Sequence, residues 1–383
     1  MAAGFLLSLA LTEAETISTT PGLCKRVRYR QSECSVCVDS CPEDAITMDL
    51  GPRVSEACTH CGLCVNVCPT EVFQHGFRTD QYLLDQIKSL IGKHRTSKSK
   101  KSFHIHCQQA EKQDEKSSCV ACLGNINENV LLGGALIGLD ELVLTRGDCR
   151  RCRLTSGEAL FRDAITTFRV SERSLGLNGF VLRLEEKQKV EAKEAKLTRR
   201  AFFSSIAEPA KYKPGPARYA VDDSALETFN DEPIGQFDTR PSPKRESLRM
   251  LLSQQKWRND VSDPHGISPW RTMKVDEKNC IACGICVAVC PTGALRKEHG
   301  NNQLIRYLNS ALCTDCSLCE EACPKQVISF EAANNFASFI EDTTTVVARI
   351  DLTSCAICGE TIPQIEGKVC MTCQKRQLSP MFI

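Results

Sequence analysis

The pattern C-x2-C-x2-C-x3-C-P occurs twice within 44 residues, first as Cys280, Cys283, Cys286, Cys290, Pro291 and again as Cys313, Cys316, Cys319, Cys323, Pro324. Eight thiols at that density are there to hold metal. Three sulfurs two residues apart fit a tight loop around one face of a polynuclear centre, while the fourth arrives from a separate segment. A zinc or disulfide scaffold is the alternative, but zinc sites use pairs of C-x-x-C rather than three-cysteine runs ending in C-P. Between the runs, Ala294-Leu295-Arg296 and Leu304-Ile305-Arg306 flank the turn-rich His299-Gly300-Asn301-Asn302, which reads as a hairpin.

Over its whole length this stretch resembles the dicluster bacterial ferredoxins. The resemblance implies two 4Fe-4S clusters, with the fourth cysteine of each run ligating the other cluster. One cluster is then expected on Cys280, Cys283, Cys286 and Cys323, and the second on Cys313, Cys316, Cys319 and Cys290.

A variant of the same plan lies nearer the N-terminus. Its second half is regular, with Cys58, Cys61, Cys64, Cys68 and Pro69, and Gly62 stands where Gly284 stands in the later module. In its first half, Cys34, Cys37 and Cys41 are preceded by Cys24 at a gap of nine residues, where a standard run has two. Closing a somewhat longer loop adds little entropy cost, so the resemblance extends to a cluster on Cys24, Cys34, Cys37 and Cys68 and another on Cys58, Cys61, Cys64 and Cys41. Without Cys24 the first would be a three-iron form or lack a protein ligand. The inserted Lys25-Arg26-Val27-Arg28-Tyr29-Arg30 is basic. Near a cluster it raises the reduction potential and attracts an acidic partner; otherwise it is a solvated loop. Ala45 to Val54 repeats the hairpin pattern around Gly51-Pro52, which makes the two modules internal repeats.

From Asp80 the periodicity changes. Leu83, Leu84, Ile87, Leu90 and Ile91 form a helical face, followed by strand Phe103–His106, a helix from about Ile126 to Leu139 and strand Leu142–Leu144. A helix with Leu160, Phe161, Ala164, Ile165 and Phe168 on one face and a strand Phe180–Leu184 complete a small parallel α/β sheet. Cys107, Cys119, Cys122, Cys149 and Cys152 should then gather outside the carboxyl ends of the strands, where such sheets bind ligands. His104 and His106 read as exposed polar residues on one strand face. The order Cys119-Val120-Ala121-Cys122-Leu123-Gly124 through Gly147-Asp148-Cys149 is similar to the iron-sulfur delta subunit of methyl-viologen-reducing hydrogenases, which implies a 2Fe-2S cluster. Zinc on Cys119, Cys122, Cys149 and Cys152 is the alternative.

Near the C-terminus, Cys355-x2-Cys358 and Cys370-x2-Cys373 form two knuckles eleven residues apart, a zinc-ribbon arrangement in which Gly359 and Gly367 ease the turns. A rubredoxin-type iron is the other reading. All 25 cysteines thus fall into groups of eight, five, eight and four, a segregation that scattered core cysteines would not show.

The expected fold class is a multidomain α+β chain with two bacterial ferredoxin-like modules, a small central parallel α/β domain and a zinc-ribbon-like knuckle. Its divisions are a helical extension over 1–23, modules over 24–78 and 271–335, the five-cysteine domain over 79–185, a linker with short helices over 186–270 and the knuckle over 345–383. Ala2 to Leu11 is apolar, but the first basic residue is Lys25, so a short packed helix is expected rather than a signal peptide, and ten residues are too few to span a bilayer. In the linker, Thr198-Arg199-Arg200-Ala201-Phe202-Phe203 reads as an amphipathic helix rather than an export motif, and a second helix is expected around Leu248, Leu251 and Leu252.

A formal net charge of +1 argues against nucleic acid as the main partner. No nucleotide-binding fingerprint, nucleophile elbow or acid-base pair is present. These features point to a cytoplasmic polyferredoxin, a non-catalytic electron-transfer subunit between a redox donor and an acceptor, without membrane insertion. Its layout also resembles the iron-sulfur proteins of molybdenum-dependent formate dehydrogenases, which implies a molybdoenzyme or hydrogenase-type complex as partner. Two other classes stay open: a thiol or disulfide reductase using Cys107, and an assembly or sensing factor.

Overall fold

The computed structural model describes residues 17–75, 79–94, 99–111, 117–187, 238–255, 272–331, 336–364 and 369–378. The expected N-terminal helix and the arginine-containing helix after Thr198 lie outside these residues.

The central sheet holds β5 (Ser102–Cys107), β6 (Ser118–Val120), β7 (Glu141–Arg146) and β8 (Val181–Glu186) in the order β6-β5-β7-β8, all parallel. This mixed helix-and-sheet architecture, with its parallel sheet in the middle of the chain, agrees with the expected class. The strand Ser118–Val120 was not foreseen. Three residues are too few to show a period.

Four helices cover the sheet: α4 (Thr79–Lys93), α5 (Glu128–Ile137), α6 (Gly157–Ser174) and α7 (Pro243–Ser253). The Asn127 side chain caps α5 by accepting from the Val130 N–H at 3.4 Å, an ordinary stabilisation of a helix start. Leu83, Leu84 and Ile87 of α4, Leu131 and Leu132 of α5, Phe161 and Phe168 of α6 and Leu248, Leu251 and Leu252 of α7 share one core with the sheet. The helix expected around Leu248 is therefore part of this core, tied to α5 by the Asn129 amide donating to Lys244 O at 2.8 Å. A Cβ on Gly133 would come within 2.5 Å of Leu84 Cδ2, so the small residue lets α4 and α7 approach α5. His106 is buried, not exposed as its polarity suggested, because β5 lies inside the sheet.

In the first ferredoxin-like module β1 (Ile17–Thr19) pairs antiparallel with β4 (Phe73–His75), closing a loop that contains the eight cysteines. Within it lie the helices α1 (Lys25–Arg28), α2 (Val36–Asp39) and α3 (Leu63–Val67) and the small hairpin of β2 (Ile46–Thr47) and β3 (Arg53–Val54). The second module repeats the closure with β9 (Thr272–Val275) against β12 (Ile328–Glu331) around helices α8 (Ile285–Ala288) and α9 (Leu318–Glu321). Gly62 and Gly284 precede α3 and α8 with φ of 78° and 75°, a conformation that glycine adopts without steric cost.

The foreseen hairpin is β10 (Leu295–Gly300) and β11 (Gln303–Asn309), turning at Asn301 and Asn302 with φ of 49° and 56°. Asparagine tolerates these values, which match the twist of two-residue hairpins. After α10 (Phe336–Ile340), β13 (Thr344–Ser354) joins β11 and carries the chain to β14 (Thr361–Pro363) and α11 (Met371–Leu378). Among the described residues no helix is long and apolar enough to cross a membrane.

Candidate metal centres

Each ferredoxin-like module gathers its eight thiols into two sets of four. In the first, the Cys37 thiol on α2 faces Cys68, Cys24 and Cys34. The first four residues of the nine-residue gap after Cys24 form α1, so part of the extra chain folds locally, and Cys24 is buried beside its partners. The second set forms around Cys64 on α3, which faces Cys61, Cys58 and Cys41. Backbone N–H groups of Ala45, His60 and Val72 point at Cys41, Cys58 and Cys68 Sγ at 3.3, 3.4 and 3.4 Å. In the second module Cys286 faces Cys283, Cys280 and Cys323, while Cys319 faces Cys313, Cys316 and Cys290. The fourth cysteine of each run thus sits with the other run's first three.

Burial pushes Cys37, Cys64 and Cys313 up to about 12 and Cys286 up to about 11. Four thiolates in one such pocket are stable only around positive charge, the chemistry of a metal centre. A buried arginine marks one of them. Arg306 donates from Nη1 to Cys286 Sγ at 3.1 Å, and its Nε and Nη2 have no hydrogen-bond partner among the described residues. It lines a small cavity with Cys280, Cys283, Cys286 and Cys323, so donors are ready for the sulfur of a bound cluster.

The central domain brings together four of its five cysteines. Cys107 ends β5, Cys122 follows β6, and Cys149 and Cys152 follow β7. They line one cavity at the carboxyl ends of these strands, where the chain first steps to one side of β5 and then to the other. Open α/β sheets bind ligands at such switch points. The N–H groups of Gly147, Gly124 and Leu154 donate to Cys107, Cys122 and Cys152 Sγ at 3.3, 3.3 and 3.4 Å. The wall is built from close approaches: a Cβ on Gly157 would lie 2.4 Å from Cys122 Sγ, and one on Gly147 would lie 2.3 Å from Gln109 O.

Cys119 stands apart from the cavity and is exposed on β6, where Ser118 and Val120 are buried. The two-residue alternation of a strand turns it to the opposite side. The expectation that all five gather is corrected to four, with Cys107 inside the set and Cys119 outside it.

The cavity adjoins the first module. Asn66 donates to Gly124 O at 2.7 Å, Ser156 donates to Ser40 O at 2.9 Å, and the Asn125 amide donates to Cys61 O. Arg153 pairs with Glu43 across the same boundary.

At the C-terminal knuckle, Cys355, Cys358, Cys370 and Cys373 place their sulfurs within 4.8 Å of one another, and the Cys358 and Cys370 sulfurs are 3.7 Å apart. A Zn–S bond of about 2.3 Å puts sulfurs about 3.8 Å apart in a tetrahedron. The backbone N–H groups of Cys358, Cys370 and Ile357 pull the Cys355 thiol down to about 6, while bonds from neighbouring thiols push Cys373 up to about 12. Among the described residues only this group has the spacing of a single ion. The ferredoxin-type and central sets are wider.

Sequence reading missed Arg306. The signal was present: on β11 the side chains of Leu304, Arg306 and Leu308 all point inward, and a lone arginine at such a position needs a charged or electron-rich partner.

Family comparison agrees with the two modules. A 4Fe-4S dicluster domain model matches residues 279–328, and a second 4Fe-4S dicluster domain model matches residues 32–72 and 246–294. Dicluster domains of this type support iron-sulfur electron transfer. No curated protein matches the chain.

Proposed function

We propose that the chain is a polyferredoxin that accepts single electrons from one redox protein and passes them to another, with four 4Fe-4S clusters held by the four ferredoxin-type thiol sets. The observation that carries this reading is the overlap of the dicluster matches with sets of four thiols too widely spaced for one ion. Bound clusters supply one-electron transfer without making or breaking a bond. The protein's own part is to hold the thiolates, donate N–H bonds to their sulfurs and keep water away.

Zinc at Cys355, Cys358, Cys370 and Cys373 suits the tetrahedral spacing there. For the central set, sulfurs wider than single-ion spacing support a 2Fe-2S or other cluster on Cys107, Cys122, Cys149 and Cys152 rather than zinc. Its seat against the first module makes it a natural end of the relay. Cys107 is buried and accepts a backbone N–H, which favours a ligand over the accessible thiol that a disulfide-reducing site requires. The partner class implied by the layout is an oxidoreductase complex such as a molybdenum-dependent formate dehydrogenase, acting in the cytoplasm.

Reductive titration without oxygen, followed by visible absorption and electron paramagnetic resonance, tests this reading. About four or five electrons per chain, taken up and returned reversibly, are expected, since each cluster accepts one. An iron-free chain, or one that bleaches irreversibly, would exclude it.

A further inference from the structure

Buried positive charge is unevenly spread over the four ferredoxin-type thiol sets. In the second module, Arg306 is 2% exposed and touches Cys286 Sγ as described. Arg28 is 5% exposed, although it belongs to the first module's basic insertion. It reaches across to donate from Nη1 to Cys290 O at 3.2 Å, with Nε on Gly22 O at 2.6 Å and Nη2 on Asp238 O. Arg245 is 7% exposed, donates to Ser310 O at 3.0 Å, stacks over Phe339 and faces the Cys313 thiol. Lys25 pairs with Glu321 at 2.8 Å and lies between Cys34 and Cys316.

In the first module the leading electrostatic neighbours of Cys24, Cys37, Cys61 and Cys64 are other thiols and backbone N–H groups. Within the chain, one residue of the basic insertion, Lys25, is already paired with Glu321.

Reduction adds one negative charge to a centre, so a nearby cation or a hydrogen bond to its sulfur favours the reduced form and raises its potential. Water screens such an effect little when the cation is buried. Glu128 and Asp315 also face Arg245 and offset part of its charge, which leaves Arg306 as the clearest contributor.

We infer that the buried arginines make the second dicluster module the high-potential half of the chain, so that electrons entering through the first module collect in the second, crossing at the contact of Arg28 with Cys290. The inference rests on the relay reading. Each crossing oxidises a first-module centre by one electron and reduces a second-module centre by one, with no proton or bond exchanged. A one-electron redox protein supplies the electron and another removes it.

The test is a potentiometric titration of the full-length chain purified without oxygen, read by electron paramagnetic resonance, with iron measured on every sample. The wild-type centres should reduce in an earlier and a later group. Arg306→Gln should make one member of the earlier group roughly tenfold harder to reduce, equivalent to about 59 mV for a one-electron couple, and Arg306→Lys should recover most of that change. An unshifted titration, or a shift in the later group, would overturn the inference. Should Arg306→Gln lose iron, Cys283→Ser decides: it removes the centre beside Arg306, so the lost signal must come from the earlier group, and loss from the later group overturns the inference. A wild-type chain that reduces reversibly without two groups counts against the gradient alone; one that takes up no electrons counts against the relay itself.

Discussion

At the scale of single residues, the chemistry depends on which sulfurs converge and on what packs behind them. Cys119 and Cys122 are three residues apart, yet a strand turns the first to solvent and a tight turn brings the second into the cavity. Cys122→Ser should therefore lower the metal content of the central site and Cys119→Ser should not, as measured by metal per chain. Gly157 has a comparable constraint. A Cβ there would meet Cys122 Sγ at 2.4 Å, so Gly157→Ala should lose central metal while the ferredoxin-type signals persist. In the second module, Cys283→Ser should remove about four iron from the chain, the content of one cubane. Most of the thiol groupings were legible because spacing along the chain encodes them. The place of Cys119 was not, since it depends on a three-residue strand with no readable period. Nor were the contacts of Arg28 and Arg245, which come from segments far away along the chain.

Among the elements, α7 shows how far composition alone can mislead. Its sequence lies in a charged, proline-containing stretch that reads as a connector, and its apolar face was recognised, but only the fold shows that α4 and α5 receive it. Leu252 is fully buried there. Leu252→Ala should cost about 2–5 kcal/mol by leaving a cavity, seen as a lower midpoint in denaturant. The parallel sheet was readable from alternating helix and strand signals, whereas the closing pairs β1–β4 and β9–β12 were not, because each joins short strands more than fifty residues apart. Cys370, immediately before α11, and Cys373 on it complete a set whose other half follows β13. Cys370→Ser should release zinc and leave the cubane spectra intact, as read by metal analysis and absorption.

Across the whole molecule the thiol sets form neighbours in series. The central set adjoins the Cys61 loop through Asn125, and Arg28 of the first module meets Cys290 of the second. The proposed relay requires that most of the sets carry redox metal, so the number and kind of metals test it most directly. Iron, acid-labile sulfide and zinc should be measured per chain on protein purified without oxygen. About 18 or 20 iron with one zinc is predicted, from four cubanes, a central cluster and the C-terminal knuckle. About 16 iron with two zinc would make the central site structural, and iron below about eight per chain would contradict the relay.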